Sequence, residues 1–545
     1  MELTDEAFYL LTSMHPHALR FFFTPTQWVS ARLWQIAHGL AAFRALGWAL
    51  STASAALLGV GAARVAIPKE AASVIARRLY QSAVIAMTVI FAWLYGAILP
   101  FSPSYNLLGA SGAYAAFGLF LLSINCEKRP RVMVLAAASG ICLGFAVLSK
   151  FSAGIATAGL IVVLQAVLRA RHAIRLRATA ITILALIATL AIAIVVESSL
   201  REGYKEFLTG LELTRIAQGS ETTIARLIRG GHEWSECLTV VASTYWGPIA
   251  LACIAVVLRN SVVGCAAVGW FAYVVVALHT YVGGMDVYQT QSRPVIAAMA
   301  MMLVLTARVW VTQWRSVILA ASLGVLPFAI AIGTGNPLPF QILLALASWG
   351  ALSGALAFGG QDHALRVSAI CLAVALPALL AAQIISSGYR APYRLPQPLQ
   401  AQQLPVNLGR LGTLKVDAPT ARFVTEVRSA WRRCDLPEEM PFLGIYRLPG
   451  VALLVDAIPV ATPWLFTKSF TEAALNGVGA DQLKDAAIAL QLAPDGARPE
   501  LPIQLQSFFP SAYRFCGTFS LPFGGARAEL WAPVAVGRTS TSQAY

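Results

Sequence analysis

The chain has 545 residues, of which 57% are hydrophobic and 12% charged, and its mean hydropathy is +0.67. A soluble domain of this length does not carry so apolar a surface, so the composition excludes one and implies a polytopic membrane protein. The formal charge of +14 lies largely in short basic connections between apolar runs; Lys and Arg placed there set topology, which excludes nucleic acid as a partner.

The first candidate is the acidic pair Asp5-Glu6 in Thr4-Asp5-Glu6-Ala7-Phe8-Tyr9, in a chain with only 26 acidic residues. Carboxylates at a membrane surface can deprotonate a hydroxyl or hold a divalent cation, whereas two acids near a terminus are otherwise simply solvated. Phe21-Phe22-Phe23, Trp28 and Trp34 follow as an interfacial, amphipathic helix on the outer surface, which completes an N-terminal region 1–44. Nothing in the first thirty residues resembles a signal peptide, so an outward N-terminus calls for a translocated tail or a further helix before Met1.

A membrane region 45–387 contains about twelve runs that approach the ~20 residues needed to cross a bilayer. They fall at Ala45 to Val65, Gln81 to Pro100, Leu107 to Cys126, Val132 to Leu148, Ser152 to Leu168, Thr179 to Val196, Thr239 to Leu258, Val262 to Val282, Pro294 to Val311, Ser316 to Ile332, Pro339 to Gly359 and Val367 to Ser386. Basic connections such as Lys128, Arg129 and Arg131 face the cytoplasm by the positive-inside rule. The opposite set faces out: the N-terminus, Ser102 to Asn106, the turn at Lys150, the loop Ser198 to Glu236, Gly283 to Ser292, Gly333 to Asn336 and everything after Ser387.

Several outer residues carry chemistry. Lys150 stands between two apolar runs, so its ammonium must snorkel outward or meet an anion such as a lipid phosphate. Arg293, in Tyr288-Gln289-Thr290-Gln291-Ser292-Arg293-Pro294, has the planar fork that grips phosphate, or serves as an interface anchor. His232, Glu233, Glu236 and His279 could donate to a metal, although a lone histidine is more often a satisfied polar residue. Glu202, Lys205 and Glu206 form the polar face of a surface helix.

The tail 388–545 is richer in Pro and charge and reads as a small α/β domain. Strands are expected at Phe442 to Tyr446 and Val451 to Val455 around a Pro449-Gly450 turn, and helices at Ala418 to Arg433 and Thr471 to Leu475. No Cys-x-x-Cys pair occurs among the eight cysteines. An oxidising compartment would let Cys434 and Cys516 pair, and two free thiols are equally open.

An outer Asp-Glu ahead of a surface helix, a Ser-Pro-Ser-Tyr-Asn turn opening the third span, the segment Leu-Gly-Phe-Ala-Val-Leu-Ser-Lys-Phe and a small outer C-terminal domain occur here in that order. This arrangement resembles the GT-C glycosyltransferases that use polyprenyl-phosphate sugars, nearest the protein O-mannosyltransferase and lipid A aminoarabinose transferase branch. The resemblance covers the first 390 residues as architecture, and its more specific motifs are the Asp-Glu pair and the Lys150 segment. It implies an all-α polytopic membrane fold of about 12 transmembrane helices with a small α/β C-terminal domain, in the bacterial cytoplasmic (inner) membrane with that domain on the periplasmic side. It also implies a polyprenyl-phosphate sugar donor, a lipid, glycan or protein acceptor, and contact with membrane lipids.

Carried onto this sequence, the resemblance makes Asp5 the general base toward the acceptor and Glu6 its companion. Lys150 and Arg293 would hold the donor phosphate, with Tyr105, Asn106, Tyr288 and Gln291 contacting substrate. Many relatives have an acid where Asn106 stands, which weakens a metal site built on theirs. A divalent metal ion would have to draw on Asp5 and Glu6, helped by His232 or His279. No nucleotide cofactor is implied, and the chain lacks a Walker-type or dinucleotide glycine motif. Two other classes compete: a lipid-linked sugar flippase or polysaccharide transporter, for which no internal repeat is found, and a non-catalytic envelope glycan assembly protein.

Overall fold

The long central helices carry large apolar side chains on surfaces left exposed among the described residues, as helices that face a bilayer do. Leu184, Ile187 and Ile192 in one helix, and Val257 and Tyr273 in two others, are all exposed. In this computed structural model the structure describes residues 3–20, 24–66, 73–124, 126, 128–168, 172–217, 219, 223–279, 286–307, 314–333, 337–359, 363–390, 392, 395, 397–522 and 525–534. The chain divides into two compact units, one of Met1–Arg44, Glu197–Glu221 and Tyr389–Tyr545, the other of Ala45–Val196 and Thr222–Gly388.

The second unit is all helical among the described residues, and the protein is a polytopic membrane protein. Its helices are α3 (Leu40–Ala66, which begins in the first unit), α4 (Val74–Trp93), α5 (Tyr105–Ile124), α6 (Arg129–Ser149), α7 (Phe151–Leu168), α8 (His172–Glu197), α10 (Thr223–Leu258), α11 (Ser261–His279) and α12 (Asp286–Leu305), followed by Trp314–Ala331, Leu338–Gln341, Ala347–Gly359 and His363–Arg390. Eight described helices are long and apolar enough to cross a membrane, and three shorter apolar ones are Phe151–Val167, Ser292–Leu305 and Val317–Ala331. Small residues let backbones approach: a Cβ on Gly118 would lie 2.6 Å from the Leu57 carbonyl, so only glycine fits where α5 crosses α3.

The expected span Pro339 to Gly359 is not continuous. It breaks into Leu338–Gln341, a 3-10 turn at Ile342–Ala345 and Ala347–Gly359. The expected outer loop Ser198 to Glu236 is largely helical, since α9 (Leu200–Ala217) fills its first half and α10 begins at Thr223. Hydropathy alone does not locate the break, because the turn Ile342–Ala345 is as apolar as the helices on either side of it.

The first unit joins α1 (Asp5–Met14), α2 (Thr26–Ala37) and α9 to the C-terminal segment. The aromatic triplet 21–23 lies outside the described residues. Leu404–Asn407 (β1) pairs antiparallel with Thr413–Val416 (β2). A five-stranded sheet has the order β4 (Ile458–Pro459), β3 (Pro441–Ile445), β5 (Ala487–Gln491), β7 (Arg527–Pro533) and β6 (Tyr513–Ser520), with β3 parallel to β4 and β5 and the other pairs antiparallel. Leu443, Ile488 and Leu490 from the sheet share one core with Phe8 of α1 and Leu213 of α9.

The helix Ala418–Arg433 starts where Asp417 accepts the Thr420 amide at 2.8 Å, with Pro419 in its first turn and Arg432 and Arg433 in its last. Val451 to Leu454, expected as a strand, lies in the short helix Pro449–Leu454, because proline at its first turn starts a helix instead of a hairpin. The second expected C-terminal helix spans Lys468–Ala474, capped by Thr467. Cys434 and Cys516 form a disulfide across a separation of 82 residues. In the chain-entropy account, a crosslink of that span stabilises the fold by about 4.5 kcal/mol.

Candidate functional site

Of the predicted residues, Asp5 and Glu6 belong to the first unit and Lys150, Tyr105, Asn106, Arg293 and His232 to the second, where Lys150, Asn106 and Tyr105 come together. In the first, Asp5 and Glu6 are themselves the first turn of α1, where the exposed amide ends of the helix favour negative charge. Glu6 is 0% exposed and receives a two-pronged bond from Arg44, Nε to Oε1 at 2.7 Å and Nη2 to Oε2 at 2.6 Å. Asp5 is partly exposed. The Ser13 hydroxyl donates to Ser30 at 2.8 Å, and Gln27 of α2 donates to the carbonyls of Pro16 and Leu19, each at 2.7 Å. The first bond ties α1 to α2 and the other two tie α2 to the connection between them, so the acidic turn is held by folded structure.

Arg44 is the residue that sequence reasoning passed over. An arginine on the threshold of a long apolar run needs an acidic partner, and that signal was available. Arg44→Ala would strand a buried carboxylate; with the arginine side chain 36% exposed, the expected loss is about 2–3 kcal/mol of stability. Denaturation midpoints in detergent read this directly. The double variant with Glu6→Gln should recover most of the loss.

In the second unit, Lys150 caps α6 and is 4% exposed. It does not snorkel. Its Nζ donates to Asn106 Oδ1 at 3.1 Å and to the Ile330 carbonyl at 2.8 Å, and lies 5.9 Å from the centre of the Tyr105 ring. Among the described residues no carboxylate pairs with it. Tyr105 and Asn106, expected in a loop, open α5. Ser104 sets that start by accepting the Leu107 amide at 3.2 Å and pairing with the Tyr95 hydroxyl at 3.0 Å. Gly109, one turn into α5, leaves room for the lysine, whose Cβ would stand 2.8 Å from a Cβ placed there.

Arg293 lies in α12, partly buried, one residue before Pro294 and within electrostatic reach of Tyr245 and Cys237. No hydrogen bond or ion pair among the described residues joins it to Lys150. Tyr288 and Gln291 also belong to α12, and His279 ends α11, but their side chains lie outside the described residues. His232 is exposed on α10, while the neighbouring Glu233 accepts the Leu338 amide at 3.0 Å and faces Arg229 at 3.6 Å.

Among the described residues no group of three or more His, Cys, Asp or Glu could hold a metal ion, and both oxygens of Glu6 already accept from a guanidinium that neutralises the charge a cation would need. No step is therefore assigned to a metal ion.

Among solved structures, the chain is similar to ArnT from Cupriavidus metallidurans bound to undecaprenyl phosphate, with 16% identity, 97% of this chain and 94% of that chain covered, and a TM-score of 0.42. The same protein in its apo state matches at 16% identity over the same shares, with a TM-score of 0.40. An oligosaccharyltransferase from Archaeoglobus fulgidus, in complex with Zn and sulfate, matches at 12% identity over 92% of this chain and 69% of that one, with a TM-score of 0.31. At these identities and scores the likeness fixes no residue's role. No family model matches the sequence, and no curated protein does.

Proposed function

We propose that this protein is a glycosyltransferase that moves a sugar from a polyprenyl-phosphate donor to a hydroxyl acceptor on the outer face of the bacterial cytoplasmic membrane. The observation that carries this reading is Lys150, an ammonium enclosed among apolar helices with neutral oxygens as its partners. A buried charge in that state is costly, and an anion that reaches it offsets the cost. A phosphate carried by a lipid tail can arrive there from within the bilayer. The resemblance of the Asp5-Glu6 and Lys150 segments to GT-C enzymes supports the same assignment.

In the proposed reaction the acceptor hydroxyl oxygen attacks the anomeric carbon with inversion, and its proton passes to the Asp5 carboxylate. The bond from that carbon to the phosphate oxygen breaks, and polyprenyl phosphate leaves as an anion stabilised by Lys150 and Arg293. Glu6, paired with Arg44, keeps the acidic turn in place. Asn106 orients the lysine, and Tyr105, Tyr288 and Gln291 are assigned to substrate contact. The C-terminal domain is assigned to the periplasmic side.

The test is turnover by purified protein in vesicles that contain undecaprenyl-phosphate sugars and an envelope extract as acceptor. Acceptor-dependent release of undecaprenyl phosphate with a new glycosidic bond is expected. Movement of the intact donor across the bilayer without bond formation would replace this reading with a flippase.

A further inference from the structure

Helix α9 carries an apolar face that the proposed chemistry does not use. A capping box starts the helix: the Ser199 hydroxyl accepts the Glu202 amide at 3.2 Å and donates to the Glu202 carboxylate at 2.9 Å. Gly203, Gly210 and Leu213 are buried along one side of it, and Leu213 belongs to the core of the C-terminal sheet. Tyr204, Leu208 and Leu211, four and three residues apart, form a second stripe that is 65%, 46% and 41% exposed. A helix that packs on a domain by one face and meets water on the rest has no use for such a stripe.

The chain leading into α9 indicates what covers it. Helix α8 is long and apolar enough to cross the membrane, and Ile192, Val195 and Val196 are exposed close to its end, so the apolar surface that hydrocarbon would cover continues to that end. Charge returns at Glu197, the last residue of α8, which accepts from Arg32 at 2.6 Å. Only Ser198 and Ser199 separate α8 from α9. A connection this short spans at most about 10 Å, so α9 starts at headgroup level. The charges on α9 are sorted to match. At about 100° per residue, Arg201 and Arg215 fall on or beside the stripe, whereas Glu202 and Glu206 fall on the opposite side. Arg215 is forked to Glu212, and Arg201 is exposed. A narrow apolar stripe edged by arginine is the pattern of a helix in the bilayer interface, where the side chains enter the acyl boundary and a guanidinium grips lipid phosphate.

We propose that Tyr204, Leu208 and Leu211 lie in the headgroup layer of the membrane, with Arg201 on the phosphate of an anionic lipid, so that α9 berths the first unit on the bilayer surface. The photo-crosslinking residue benzoylphenylalanine tests this when placed at Leu208 or, as the control, at Ala217, which is exposed on another side of α9. The full-length protein is reconstituted in nanodiscs of equal parts phosphatidylethanolamine and phosphatidylglycerol and irradiated. Mass spectrometry should find phospholipid joined to the protein from position 208 and little from position 217. In Arg201→Gln the ratio of phosphatidylglycerol to phosphatidylethanolamine captured at 208 should fall about fivefold, the effect of one basic side chain at an anionic surface. Phospholipid captured equally from both positions, or from neither, overturns the proposal. A crosslink from 208 to a second copy of the chain overturns it too and makes the stripe a contact between protomers. An unchanged lipid ratio in Arg201→Gln overturns the headgroup contact of that arginine.

Discussion

Asp5→Asn is expected to lower sugar transfer by about 10²–10⁴-fold, the range contributed by a positioned general base. The amide keeps the size of the carboxylate and its place in the first turn of α1, but it cannot take the acceptor's proton. Because the Glu6 and Arg44 pair anchors that turn independently, the variant should fold and should hold donor as the wild type does. The loss should therefore appear in kcat, measured as undecaprenyl phosphate released per minute, with little change in donor affinity. Retention of full kcat would remove Asp5 from the chemistry.

Lys150→Met separates activity from stability. Methionine matches the length of the lysine stem and removes the ammonium, so the stabilisation of the leaving phosphate is lost, and kcat/KM should fall by about 10²–10³-fold. Relief of the buried charge offsets the loss of two hydrogen bonds, to Asn106 and Ile330, so the denaturation midpoint should move by less than about 1 kcal/mol equivalent. A lysine kept only for packing would give the opposite pattern, with activity following stability.

The helical membrane architecture was legible because apolar runs of span length are a strong, local signal. The helix Ala418–Arg433 was legible to the residue, and the structure shows the aspartate cap, early proline and basic end that bound it. The break at Ile342–Ala345 was not, because its sequence is as apolar as the helices around it and only packing decides where the turn tightens. Val451 to Leu454 misled for a related reason: a short aliphatic stretch fits a strand as well as a helix, and the proline ahead of it decided for helix.

The site was legible as residue types and less so as partners. Lys150 stood out as a lone cation between apolar runs, but its neutral partners come from positions 44 and 180 residues away. No local pattern encodes such pairings. The same holds for Arg44 and Glu6, 38 residues apart.

Retention of undecaprenyl phosphate by the purified protein, read by native mass spectrometry on the wild type and on Lys150→Met, tests the donor assignment most directly. The wild type should carry one equivalent of the lipid, and the variant should lose it at the same concentration. Equal retention by both proteins would contradict the assignment of the donor phosphate to Lys150.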